Sequence, residues 1–142
     1  MLEYRKSCGF VVFKNFQDEI HYLIIRAWNG EYGFPKGHVE NDESEYETAI
    51  RELKEETNVE VQILNGFRQQ IEYKFPNREN VIKQSVYFLG EWIGNDIKCQ
   101  EKEVSEAKFV TYEEALELLT FDETKGVLKK AHKFIAKCGC NQ

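Results

Sequence analysis

The chain has 142 residues, of which 42% are hydrophobic and 13% aromatic, and its formal net charge at pH 7 is −6. That is the size and apolar content of a single domain, 1–142, with one sizeable core. No apolar run approaches the length of a membrane span, and the start Met1-Leu2-Glu3-Tyr4-Arg5-Lys6 lacks the apolar stretch of a signal peptide, so a soluble cytoplasmic protein with no membrane partner is expected. The acidic balance argues against broad nucleic-acid binding, yet it leaves room for a small basic cleft around a phosphorylated ligand.

Ser7 to Phe13 and Ile20 to Ala27 are β-rich runs joined by the polar stretch Lys14 to Glu19, which predicts an early hairpin. Phe34-Pro35-Lys36-Gly37-His38 follows as a loop, in which the glycine permits close backbone approach and the lysine is a phosphate-seeking charge. The segment from Ser44 to Thr57 is predicted to be helical. Asn41 or Asp42 can cap its start, and Ser44 with Glu47 offers a capping box in a second register. Tyr46, Ala49, Ile50 and Leu53 make an apolar stripe that docks this helix on a sheet. Glu52, Glu55 and Glu56 then share the other side. Like charges at this spacing repel unless a cation sits among them, although most Glu-rich helix faces are merely solvated.

Further strands are predicted at Val59 to Leu64, Gly66 to Phe75 and Val81 to Trp92, with Pro76-Asn77-Arg78-Glu79-Asn80 as a link. Gln100-Glu101-Lys102-Glu103 reads as a charged loop. Tyr112 to Leu119 is a short helix. Asp122 to Ala136 is a longer one, with Val127, Leu128, Ala131, Phe134 and Ile135 on one face and an isolated Gly126. Helices around a mixed sheet make an α/β sandwich. Cys8 falls in an apolar run and reads as core, whereas Cys99, Cys138 and Cys140 form no paired metal-ligand pattern.

The acidic helix and the loop before it offer oxygen ligands suited to Mg²⁺ (or Mn²⁺): the Glu52, Glu55 and Glu56 carboxylates and a carbonyl near Gly37. Such an ion commonly also holds water and substrate phosphate. Gly37, Glu43, Arg51, Glu52, Leu53, Glu55, Glu56 and Val59 occupy the places of the pattern G-x5-E-x7-R-E-U-x-E-E-x-G-U, with U a bulky aliphatic residue. In this the chain resembles the Nudix hydrolase family. Asn58 stands where the pattern has its second glycine. Asparagine is the non-glycine residue that best tolerates the left-handed turn needed there. The resemblance implies a curved mixed sheet between helices (an α+β, α/β/α sandwich) and hydrolysis of a nucleoside diphosphate linked to another moiety. It also implies that Arg51 orients a neighbouring glutamate and that Glu43 supports the site from outside it. The base that activates water is left between Glu52 and Glu103.

The resemblance runs through nearly the whole chain and points, within the family, to the asymmetrical diadenosine tetraphosphate hydrolases. Ser7-Cys8-Gly9, Pro35-Lys36-Gly37-His38-Val39-Glu40, Gly66-Phe67, Glu72-Tyr73, Val86-Tyr87-Phe88-Leu89, Glu113-Glu114-Ala115 and Phe121 with Glu123 and Lys125 carry it in common order. It implies a small nucleotide substrate, a dinucleoside polyphosphate cut to ATP and AMP. Lys36, His38 and Lys83 would touch the phosphates with help from Tyr87, and Glu103 would match the glutamate outside the motif. Tyr73 and Phe121 would lie on either side of an adenine, with Tyr32 as a weaker substitute. Both rings have an ordinary rival role in the core. Other nucleoside diphosphate derivatives (a nucleoside triphosphate, a nucleotide sugar, the triphosphate end of an RNA) are the enzymatic alternative. A non-catalytic nucleotide sensor is the other, against which the intact acidic set speaks. A monomer or weak dimer is expected.

Overall fold

The computed structural model describes residues 3–75 and 78–139. Strands β1 (Glu3–Phe16) and β2 (Glu19–Ala27) form the expected hairpin. Their turn is Gln17 and Asp18, both in the left-handed region at φ 52° and 68°. Turns with two such residues match the right-handed twist of the flanking strands, so pairing continues to Phe16↔Glu19 and takes in the polar stretch read as a connection.

The Pro35 segment is not only a loop. It carries two short strands, β3 (Tyr32–Gly33) and β4 (Lys36–His38), and β4 lies antiparallel on β1 through Ser7↔His38, Cys8↔Gly37 and Gly9↔Lys36. Gly9 makes this possible: a Cβ there would stand 2.1 Å from the Pro35 carbonyl oxygen. That oxygen instead accepts from the Phe10 amide at 3.2 Å.

Helix α1 (Glu45–Thr57) starts at the Ser44–Glu47 capping box, the second of the two registers considered, and ends on Asn58 at φ 62° in place of a glycine. Ala49 and Leu53 of the predicted stripe are buried, but Ile50 is 47% exposed. The contact with the sheet centres on the smaller Ala49, which lets the helix approach closely and leaves Ile50 on the flank beside Val61 and Ile63. Tyr46 is part exposed and stacks on Phe88, with ring centroids 3.9 Å apart.

Strands β5 (Val61–Phe75) and β6 (Arg78–Trp92) are long antiparallel partners. Two strands had been expected across 59–75. One bent strand is found, because Gly66 at φ 97° absorbs a register shift between Leu64 and Gln69 without ending the pairing. Residues 76–77 of the predicted link lie outside the described residues. Strand β7 (Val104–Thr111) was not anticipated and pairs with β2. Helices α2 (Tyr112–Leu118), with its own Thr111–Glu114 capping box, and α3 (Asp122–Gly139) fall where the periodicity placed them.

The described strands form one seven-stranded mixed sheet along the path β3-β2-β1-β6-β5, with β4 on β1 and β7 on β2. β1 and β6 are parallel; the other pairings are antiparallel. β1 gives its C-terminal end to β2 and its middle to β4, so the sheet splays and curves without closing. Side chains alternate between its faces with a period of two. Val11, Phe13, Tyr22, Ile24, Tyr87 and Leu89 meet Ala115, Leu119, Val127, Leu128 and Ala131 of the α2–α3 side. Cys8, Phe10, Val12, Leu23, Val86 and Phe88 meet Ala49 and Leu53 of α1. Each fully buried large aliphatic or aromatic side chain contributes roughly 1.5–3 kcal/mol, and this two-sided core fixes the orientation of α1. Among the described residues no helix is long and apolar enough to cross a membrane.

Candidate active site

Docking α1 by Ala49 and Leu53 turns Glu52 and Glu56, one helical turn apart, toward β4 and the loop before β7. Glu103 comes to them from that loop. One carboxylate oxygen of each of the three lies within 4.8 Å of the others. The loop is held to the end of α1 by backbone bonds, from the Lys98 amide to the Thr57 carbonyl (2.8 Å) and from the Gln100 amide to the carbonyl of Glu56 itself (2.9 Å). On its outer side the Trp28 indole N–H donates to the Glu101 carbonyl at 2.5 Å.

Glu56 is buried, at 6% exposure, and accepts from the Lys36 amide at 3.0 Å. Burial, reinforced by the negative charge of Glu52, pushes its pKa up to about 8. Glu52 is also raised by burial, against the lowering effect of Arg51. Crowded carboxylates whose pKa values are pushed up by burial and by one another's charge are what a cation would relieve. Gly37 completes the cradle, since a Cβ on it would stand 2.0 Å from the Glu52 carboxyl carbon. A hard divalent cation fits this all-oxygen donor set.

Arg51 is no ordinary surface ion pair. Its Nε and Nη2 donate to the two oxygens of Glu43 at 2.7 and 3.0 Å, Nη1 donates to Glu52 at 2.8 Å and to Glu55 at 2.9 Å, and Nη2 also reaches the His38 carbonyl at 3.0 Å. Glu43 accepts further from Thr48 Oγ1 and the Glu40 amide, and Arg51 above all holds its pKa down at about 2. Arg51 thus ties the helix, β4 and Glu52 together. Glu55, grouped with Glu52 and Glu56 in the sequence, stands apart from the carboxylate cluster and is 52% exposed on its side chain. Glu55 and Glu52 nevertheless meet on the same Arg51 Nη1, at 2.9 and 2.8 Å.

Beside the cluster opens a cavity of about 450 Å³ lined by Lys36, Glu56, Lys83, Tyr87, Glu103 and Phe121, together with Tyr32. Lys36 Nζ donates to Ser85 Oγ at 3.2 Å, and burial lowers its pKa. Tyr87 is fully buried, edge-on to Phe34 at 5.5 Å. Phe121 is 38% exposed at the mouth of α3, and Arg26 lies over the Tyr32 ring at 5.9 Å. His38 is exposed on β4; burial comes first among the causes that lower its pKa, then the charges of Lys83, Lys36 and Arg5. Tyr73 pairs in β5 opposite Lys83, and its side chain lies outside the described residues. Sequence reasoning missed Ser85, although the alternation Lys83-x-Ser85-x-Tyr87 along one strand would have placed it on the cavity side.

The chain belongs to the NUDIX family: the NUDIX domain model matches residues 4–131. Within that family it is a Nudix hydrolase similar to asymmetrical bis(5'-nucleosyl)-tetraphosphatases. The Rattus norvegicus enzyme of that name is 29% identical, over 92% of this chain and 95% of its own length. The Caenorhabditis elegans one is 28% identical, over 92% and 96%. The crystal structure of a C. elegans Ap4A hydrolase binary complex superposes with a TM-score of 0.86 at 26% identity, covering 94% of this chain and 98% of that one.

Proposed function

We propose that this hydrolase cleaves dinucleoside polyphosphates, cutting diadenosine tetraphosphate into ATP and AMP, with Mg²⁺ or Mn²⁺ held by Glu52, Glu56, Glu103 and the Gly37 carbonyl. The observation that carries the reading is the meeting of three carboxylates within 4.8 Å at the edge of a cavity whose walls include Lys36 and Lys83. Negative groups there suit a cation, and positive groups beside them suit phosphate. The relatives that share nearly the full length of the chain support the choice of substrate.

The bound ion would neutralise charge on the phosphates and lower the pKa of a bound water. The rest falls to the protein. Lys36, Lys83 and His38 hold the phosphate chain, and Tyr87 shapes the floor beneath it. Phe121, with Tyr73 or Tyr32, takes an adenine by stacking. Water attacks a phosphorus, its oxygen forming the new P–O bond while the bridging P–O bond breaks and the electron pair leaves with ATP or AMP. The proton of that water passes to a carboxylate of the cluster, Glu52 or Glu103. Arg51 and Glu43 keep Glu52 in place. The test is incubation with Mg²⁺ and a substrate panel, with the products resolved by chromatography. Equal ATP and AMP from diadenosine tetraphosphate is expected. Preference for a nucleoside triphosphate, nucleotide sugar or RNA 5'-triphosphate would replace the substrate, and no turnover of any would leave a nucleotide sensor.

A further inference from the structure

Glu103 is the one carboxylate of the cluster carried by neither helix nor strand, so its position depends on how its loop is held. The first part of that loop is tied to the end of α1. Trp92 Nε1 donates to the Asn95 carbonyl at 3.1 Å, Asn95 Nδ2 donates to the Asn58 carbonyl at 2.7 Å, and Asn58 Nδ2 donates to the Asp96 carbonyl at 2.9 Å. The Lys98 and Gln100 amides then bond the carbonyls of Thr57 and Glu56. All of these bonds lie at or before Gln100. From there the chain turns through residues 101–103, with the Glu103 and Val104 amides donating to the Gln100 carbonyl at 3.3 and 3.0 Å, and enters β7 at Val104. These bonds fix the two ends of the turn. Among the described residues, the hydrogen bond that reaches 101–103 from outside the loop is the one from Trp28 Nε1 to the Glu101 carbonyl, at 2.5 Å.

Trp28 belongs to none of the motifs above, and the backbone sets where it stands. Strands β2 and β7 pair to a last rung at Ala27↔Val104, after a bulge that leaves Ser105 unpaired between Val104 and Glu106. The Ser105 hydroxyl donates to the Arg26 carbonyl at 3.0 Å and pins that bulge. The rung therefore has Trp28 following it on one strand and Glu103 preceding it on the other, which antiparallel pairing makes neighbours. Beyond it the turn into β3 is closed by the Gly30 amide on the Ala27 carbonyl and the Ala27 amide on the Glu31 carbonyl, both at 2.9 Å. The residue is 63% exposed, so little of its ring is spent on a core. Its indole N–H, a donor only, is what joins this rigid turn to the turn that carries Glu103.

We propose that Trp28 is a positioning residue of this active site: its indole N–H fixes the tilt of the 101–103 turn and so keeps the Glu103 carboxylate with those of Glu52 and Glu56. The inference rests on the functional reading above, in which Glu103 helps to hold the divalent ion, and deepens it by naming what holds Glu103. Trp28 acts through the loop and needs no contact with the substrate.

A double-mutant cycle on Mg²⁺ affinity, measured by calorimetry without substrate, tests this. Trp28→Phe keeps a ring and removes the N–H. It is expected to weaken Mg²⁺ about tenfold in the parent, the scale of one hydrogen bond, and less than about twofold in a Glu103→Gln background, where the group it positions no longer carries charge. Its melting temperature should stay within about 2 °C of the parent, as for other exposed substitutions. At saturating Mg²⁺, kcat for diadenosine tetraphosphate should fall about tenfold with KM within about twofold. Equal loss of Mg²⁺ affinity in both backgrounds, no loss in the parent, or a rise in KM with kcat unchanged, which would make the ring a base platform, overturns the inference. A Glu103→Gln protein that binds Mg²⁺ like the parent would remove Glu103 from the ion and overturn the metal reading along with it. Coupled loss of Mg²⁺ affinity in a protein that does not turn over diadenosine tetraphosphate would uphold the inference while removing the proposed substrate.

Discussion

Replacing Gly37 by alanine adds one methyl group, and the structure says where it must go. The new Cβ would stand 2.0 Å from the Glu52 carboxyl carbon and 2.2 and 2.4 Å from its oxygens. Ordinary contact begins near 3.4 Å, so the carboxylate has to retreat by about 1.4 Å, the difference between 3.4 and 2.0. The backbone can accept alanine, since Gly37 is not among the glycines at positive φ. β4 itself is pinned to β1 through Cys8↔Gly37, so the softer response is rotation of Glu52 away from Arg51 and out of the cluster. A misplacement of this order at a reacting centre costs about 10²-fold in rate, and the lost charge-assisted hydrogen bond costs about 1.5–3 kcal/mol of stability. We therefore expect Gly37→Ala to fold, to bind Mg²⁺ more weakly by calorimetry and to hydrolyse diadenosine tetraphosphate about 10²-fold more slowly. Gly126→Ala is the control: a Cβ there has nothing within 4 Å, so activity should be unchanged, and helix α3 should gain about 0.5–1 kcal/mol. A folded Gly37→Ala variant within threefold of the parent activity would refute the reasoning.

The pKa of Glu56 is raised from 4.5 to about 8 in the native state. The metal-free native protein therefore holds a proton that the unfolded chain releases, and the stability this contributes is full below pH 4.5 and lost as pH rises through 8. Melting curves in chelator should fall from pH 5 to pH 9 more steeply than those of Glu56→Gln, with Mg²⁺ removing the difference; parallel curves would contradict the burial argument. The same substitution should cut turnover by orders of magnitude in Mg²⁺ with the fold intact. Glu45 is the opposite case, held at about 2 by Arg68 first and by Lys6. Its contribution is present above pH 4.5 and lost as pH falls through 2, so the melting gap between the parent and Glu45→Gln should close on acidification. Phe121→Ala should raise KM by the roughly 1–3 kcal/mol of one base stack; a fall in melting temperature with KM unchanged would assign the ring to the core.

What could be read before the structure was what is local in sequence. The capping box at Ser44 and Glu47, the left-handed Asn58 and the apolar faces of α1 and α3 depend on residues within one or two turns of each other, and each appears in the fold. Period alone put Glu52, Glu55 and Glu56 on one side of α1 but does not say which carboxylates meet in the docked helix, where Glu52 and Glu56 come together with Glu103. The position of Ile50 shows the same limit on the apolar side. β7 went unread because Ser105, Glu106 and Lys108 interrupt its apolar residues, and it becomes a strand through pairing with β2 some eighty positions earlier. β4 is a strand only because Gly9 lets the Pro35 carbonyl close on β1.

The placement of Glu103 is non-local in the same way. No spacing links it to Glu56, and the family resemblance suggested it where pattern did not. In the fold, the link is backbone: the amide of Gln100 bonds the carbonyl of Glu56, so the residue that supplies one carboxylate also anchors the loop that supplies another. A cation drawn to the cluster would bind groups whose relative positions are set by main-chain hydrogen bonds and by the Arg51 network rather than by the ion alone. Repulsion among the carboxylates is borne by that scaffold until the ion arrives, which is why the metal-free protein should show its weakness at alkaline pH, where Glu56 loses its proton.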